Sequence, residues 1–323
     1  MASPIADLSY RNYDGPMLPP VNRWWAIAKM SIRLALKKKG FWIWSVMSAY
    51  WYLILIAILY FVDNLSNGPL GQKNPFLSSM VWKDQFLNAF SISQMLLFIV
   101  ALLIGVGTIA NDNRANALLV YLSKPCSKLD YLIGKWFGIF LLITAVTAAP
   151  TLLFYLYGVL SYRQYGFLSE DPMLIFKLLA MSTIPGIVHA SLAIGISAMF
   201  SQGRLAGATY AGLYFMTLFF TKAMQVTSSV NQFNHHSVPP IVNNLYYCSV
   251  DGIQIGLAKL VLGTDGSSIL PMQAGGGGGR GRNFNPMPIP MPHATFILPL
   301  ALALCAGALW IAWYRVRAVE VVG

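Results

Sequence analysis

Long apolar runs alternate with short polar breaks along this chain, and the runs share one length scale. Crossing roughly 30 Å of hydrocarbon takes about 20 helical residues. Residues 41–62, 86–110, 136–160, 173–200, 205–226 and 294–314 each meet that length with few or no charges. They predict six transmembrane helices. Gly105 and Gly107 lie near the end of the second, and Pro150 predicts a kink in the third.

A different period precedes the first run. Over residues 21–40, Val21, Trp24, Trp25, Ala28, Ile32, Ala35 and Leu36 fall on one helical face. Asn22, Arg23, Lys29, Arg33 and Lys37 fall on the other. Tryptophans opposite a basic face suit a helix lying in the lipid headgroup layer. The competing expectation is an amphipathic helix packed on a partner.

The remaining divisions follow from the breaks. Residues 1–20 form a polar tail rich in proline and lacking the apolar core of a signal peptide. Residues 41–226 hold five spans, with loops at 63–85 and 161–172 and a tight turn at 201–204. Residues 227–293 form a long segment outside the spans. Its stretch 239–262 is apolar enough to pack on or dip into the membrane, but Asp251 and Lys259 weigh against a full crossing. Residues 274–292 are Gly- and Pro-rich and of low complexity. Residues 315–323 form a short tail.

The most informative break is 111–135, NDNRANALLVYLSKPCSKLDYLIGK. Asn111 or Asp112 is placed to cap a short helix. Ala115, Leu118, Leu119 and Leu122 then recur at helical spacing, and Pro125 stops the helix. Ser127 and Asp130 form an S-x-x-D capping box for a second helix entering the third span. Two helices joined at a Ser-Lys-Pro-Cys corner predict a compact protrusion on which a soluble partner docks.

Composition agrees with a membrane protein: 56% of residues are hydrophobic and only 10% charged, against roughly 25% charged in soluble domains. The net charge of +11 does not point to nucleic acid, because the basic residues flank apolar runs. Arg11, Arg23, Lys29, Arg33 and Lys37–Lys39 precede the first span. Arg114, Lys124, Lys128 and Lys135 lie in the break, Arg204 in the tight turn, and Arg315 and Arg317 in the tail. By the positive-inside rule these segments are expected in the cytoplasm, with both termini there and the protein in the cytoplasmic (inner) membrane. Three scattered cysteines, Cys126, Cys248 and Cys305, suggest neither a disulfide framework nor a zinc site.

The segment IANDNRANALLVYLSKPCSKLDYLIGK resembles the region after the second span in permease subunits of the type-2 exporter family of ABC transporters. The matching positions are Asp112, Leu118, Leu119, Leu122, Ser123, Pro125, Leu132, Gly134 and Lys135. Asn116 and Ala117 stand where the family often has Gly-Thr, and Arg114 stands at a second acidic position. The six-span order, basic entry helix and long last outer segment also match.

The resemblance implies an all-α integral membrane fold. Its parts are a six-transmembrane-helix bundle, an N-terminal amphipathic interfacial helix, a cytoplasmic coupling helix between spans 2 and 3, and a partly helical outer segment between spans 5 and 6. It implies that Asp112, Asn113, Arg114, Ala115, Leu118, Leu119, Tyr121, Leu122, Ser123 and Pro125 contact a separate ABC ATP-binding subunit. A second permease, as a homodimer or paired chain, is implied as well. The chain has no G-x-x-x-x-G-K-[ST], so no bound cofactor is expected on it, and ATP and Mg²⁺ are expected on the partner. It is expected to be a non-catalytic transport subunit. The alternatives are an ATP-independent secondary carrier, a scaffold subunit and, least of all, a membrane enzyme.

Among other polar residues, His189 in the fourth span suggests a contact on a translocation path, or else a neutral imidazole bonded between helices. Lys177 is expected to snorkel toward the surface. His235, His236 and His293 with Met272, Met287 and Met291 offer copper(I)-type ligands without fixed geometry. Gly203, Gly207 and Ala211 have the spacing of close helix packing, within the chain or at a dimer interface.

Overall fold

A backbone in hydrocarbon must satisfy its own hydrogen bonds, so each apolar run becomes a helix. The computed structural model describes residues 23–66, 77, 80–115, 127–233, 244–266 and 290–316, and these are all-helical, with no strand among them. The helices are α1 (Arg23–Leu36), α2 (Lys39–Ser48), α3 (Tyr50–Ser66), α4 (Trp82–Ile104), α5 (Thr108–Arg114), α6 (Lys128–Ser161), α7 (Phe167–Glu170), α8 (Leu174–Met199), α9 (Gly203–Phe233), α10 (Val250–Leu262) and α11 (Ala294–Arg315).

Five segments among the described residues are long and apolar enough to cross a membrane: α2 with α3, α4 with α5, α6, α8 and α11. The predicted fifth span, α9, is not among them. Its 31 residues reach about 46 Å, but Gly, Thr and Tyr residues and Lys222 dilute its apolar content. The central helix is α8, with 78% of its apolar window buried, against 22% for the first and last spans. It packs on α4, α5, α6, α9, α10 and α11.

The core forms two main clusters. One gathers Phe98, Ile104, Ile109, Tyr131, Ile139, Ala193, Tyr210 and Tyr214 toward the end that carries α5 and the start of α6. The other gathers Tyr52, Trp82, Phe86, Phe154, Phe167 and Leu178 at the opposite end. Val250 belongs to the first cluster and Leu262 to the second. Thus α10, about 20 Å long, runs from one cluster to the other, and its 13 residues are too few to cross a membrane by themselves. Ser249 caps its start, accepting from the Gly252 amide at 2.9 Å. Gly263, at φ +68°, ends it in the left-handed conformation.

Several boundaries differ from expectation. The second span starts at Trp82, four residues before Phe86, so the predicted loop 63–85 is shorter at both ends. Trp82 stays helical because its ring packs on Tyr162 and Phe167. The first span is broken at Ala49 and the second at Gly105–Gly107. On α1, the buried residues are Ile27, Ala28 and Ala35, whereas Trp25 is 43% exposed and Leu36 39%. The buried face is therefore rotated from the predicted one, because α1 packs along α6. Lys177 does not simply snorkel: it pairs with Asp171 at 2.5 Å, and Lys83 pairs with the same carboxylate at 3.0 Å. Together they hold the Asp171 carboxyl down to about 2, with the Lys177 hydrogen bond as the main cause.

Candidate coupling site

The break at 111–135 stands on two helical stalks, α5 and the first turns of α6. Gly105–Gly107 interrupts the second span and leaves orphan donors at the start of α5. Gly107 has no side chain to cap them, and Ser197 of α8 does so from across the bundle. Its Oγ accepts from the amides of both Ile109 and Ala110, each at 3.0 Å. On the other side of the break, Lys38 Nζ donates to the Leu103 carbonyl at 2.7 Å, a cation at a helix C-terminus.

Asn111 and Asp112 do not cap a helix. Both lie inside α5, which starts three residues earlier at Thr108, while the helix they were expected to cap lies beyond Ala115, outside the described residues. Asp112 faces the other stalk: its Oδ2 lies 3.0 Å from Lys135 Nζ and accepts from Tyr131 Oη at 2.7 Å. Lys135 is 8% exposed, so an opposite charge is needed to hold it there. Asn111 lies against Gly203 at the start of α9, where an added Cβ would meet its Oδ1 at 2.6 Å.

The second stalk starts as its sequence dictates. Ser127 Oγ accepts from the Asp130 amide, and Asp130 Oδ2 accepts from the Ser127 amide, each at 3.1 Å. From this capping box α6 runs unbroken for 34 residues with Pro150 inside it. Its entry segment is pinned by α1. A Cβ on Gly134 would meet the Trp24 carbonyl at 2.6 Å and Ile27 Cβ at 2.8 Å; one on Gly138 would meet Ser31 Cβ at 3.0 Å. The small-x-x-x-small signal for this contact stands plainly in the sequence at Gly134 and Gly138. The triplet singled out for that spacing is split instead: Gly203 abuts Asn111, while nothing lies within 4 Å of a Cβ on Gly207.

The structure thus brings Asp112 to Lys135 and Tyr131, and sets Asn113 and Arg114 in α5 with Ala115 at its C-cap. Leu118, Leu119, Tyr121, Leu122, Ser123 and Pro125 lie outside the described residues. His189 lies elsewhere, fully buried in α8. Its Nδ1 is 2.6 Å from Tyr210 Oη and its Nε2 is 3.3 Å from Gln254 Nε2. Among the described residues no group of three or more His, Cys, Asp or Glu side chains is arranged to hold a metal. His293 and Met291 are described and exposed; His235, His236, Met272 and Met287 are not described.

Residues 25–270 match the family model described as ABC-2 family transporter protein. The chain belongs to that family. The match runs from α1 through both stalks and α10, so it covers every element just described except α11. No curated protein matches the chain. As an ABC-2 permease the chain is a multi-pass membrane subunit of an ABC transporter. The family pairs with an ABC ATP-binding subunit, and its permeases are generally non-catalytic.

Proposed function

We propose that this permease is the driven half of an ATP-powered exporter, moved through residues 111–135. A separate subunit holds ATP and Mg²⁺ and seats Asp112, Asn113, Arg114, Ala115, Leu118, Leu119, Tyr121, Leu122, Ser123 and Pro125 in its groove. Closure of two such subunits shifts the segment, and the shift travels along both stalks into the second and third spans. The supporting observation is the clasp of Asp112 on Lys135 and Tyr131. It joins the stalks at their base, so a push on the segment turns α5 and α6 together.

In this reading α9 is a sixth crossing, tolerated for its length and its tyrosines. Both termini and the segment face the cytoplasm, in keeping with the basic residues around them. A second permease, identical or paired, completes the transporter in the cell membrane. Export of an apolar or amphiphilic cargo fits the aromatic spans.

The test is co-purification followed by uncoupling. The tagged chain, expressed with its neighbouring genes, should retain an ATP-binding subunit. Leu118→Asp should insert normally yet lose ATP-dependent transport and substrate-stimulated ATP hydrolysis. Failure to retain any ATPase would sink the reading. The buried polar residues around His189 favour a second reading, an ATP-independent carrier; transport that survives nucleotide removal and collapses with the proton gradient would favour it.

A further inference from the structure

We infer that the start of α10 carries an intramembrane site for one small monovalent cation, with Asp251 as its charged ligand. Asp251 and Gln254 stand three residues apart, hence on one face of α10. They are 8% and 0% exposed. Tyr214 Oη donates to Asp251 Oδ2 at 2.8 Å, and Gln254 Nε2 donates to the Val250 carbonyl at 3.2 Å. Their other oxygens, Asp251 Oδ1 and Gln254 Oε1, are buried with no hydrogen-bond donor among the described residues.

A third such oxygen belongs to Gln94 of α4, which is 1% exposed: its Nε2 is used on the Phe90 carbonyl at 3.2 Å, and its Oε1 has no donor among the described residues. Gln94 lies one turn from Phe98, whose ring stacks on Tyr214 at 3.8 Å between centroids. α10 packs directly on α4, α8 and α9, the helices that carry Gln94, His189, and Tyr210 with Tyr214.

The chemistry of that set is specific. Buried acceptors without donors are costly and call for a positively charged or donating guest. Oxygen acceptors that include a carboxylate suit a hard cation, and a single carboxylate matches a single positive charge. Asp251 sits in the first turn of α10, the end at which a helix dipole favours negative charge or a carboxylate ligand. Lys222 of α9 donates to Gln225 at 3.3 Å and reaches Asp251 only through the field of its charge, and Lys259 lies at the far end of α10.

The inference does not depend on ATP coupling, and its test uses none. The full chain in lipid nanodiscs, free of nucleotide, is unfolded thermally in NaCl, KCl or choline chloride at fixed ionic strength and at pH 7 and pH 5.5. The expected result is a saturable rise in melting temperature with Na⁺ that choline does not reproduce. Asp251→Asn should abolish the rise. Gln94→Leu, which spares the carboxylate, should weaken the apparent Na⁺ affinity at least tenfold. Melting that is the same in all three salts would overturn the site. So would an Asp251→Asn variant that responds like the wild type, or melting that follows pH alone, which would assign a proton to the pair of oxygens.

Discussion

Asp112 Oδ2 and Lys135 Nζ lie 3.0 Å apart, 23 residues apart in sequence, and close the gap between the two stalks of residues 111–135. Both are mostly buried, so neither is readily replaced by water. Lys135→Met should lower stability by about 1–3 kcal/mol, the usual cost of stranding a partly buried charged group. Adding Asp112→Asn should recover part of that loss, because no unpaired charge is then left. Thermal unfolding of the single and double variants checks this; strictly additive losses would show that the pair is not a clasp.

Ser197 is the second fastening. Ser197→Ala leaves the Ile109 and Ala110 amides without their acceptor and should cost about 1–2 kcal/mol, as for loss of a helix cap. The effect is local, so hydrogen exchange is the suitable measurement: those two amides should lose protection while α6 keeps its own. Unchanged exchange at both amides would refute the cap.

Gly134→Leu should push α1 off α6, since a Cβ alone meets the Trp24 carbonyl at 2.6 Å. Overpacking of this kind costs about 1–3 kcal/mol. Trp24 also packs on Phe137, so the fluorescence of the separated helix should shift. Gly207→Ala is the control: with nothing within 4 Å, it should leave monomer stability within about 0.5 kcal/mol. If it instead weakens self-association in detergent, that open face is the dimer contact.

The Asp171 cluster sets an acid limb. Its folded carboxyl is held at about 2, below the roughly 3.9 of an unfolded aspartate. The stabilisation is therefore fully present above pH 4 to 5 and is lost as pH falls through about 2. Melting temperature should be flat in this respect from pH 5 to 8, then fall. Asp171→Asn should be less stable at pH 6 and lose less between pH 4 and 2; parallel curves for the two proteins would exclude the linkage.

The capping box at Ser127 and Asp130 and the apolar runs are legible in the chain because they rest on contacts three or four residues apart, or on composition over one membrane thickness. The resemblance carried by 111–135 is likewise local in sequence, which is why the family was readable before any fold was known. The cap on α5 was not. Gly107 has no side chain to offer there, and the acceptor that holds Ile109 comes from Ser197, 88 residues on.

The same reason governs the polar interior. Asp251 and Lys259 by themselves weigh against a full crossing by residues 239–262. That Asp251 meets Tyr214, that Gln254 meets His189, and that three buried oxygens are left without a donor among the described residues are decided only by how α4, α8, α9 and α10 pack. A chain by itself records which groups must be satisfied; which neighbour satisfies them depends on helices brought together from distant parts of the sequence.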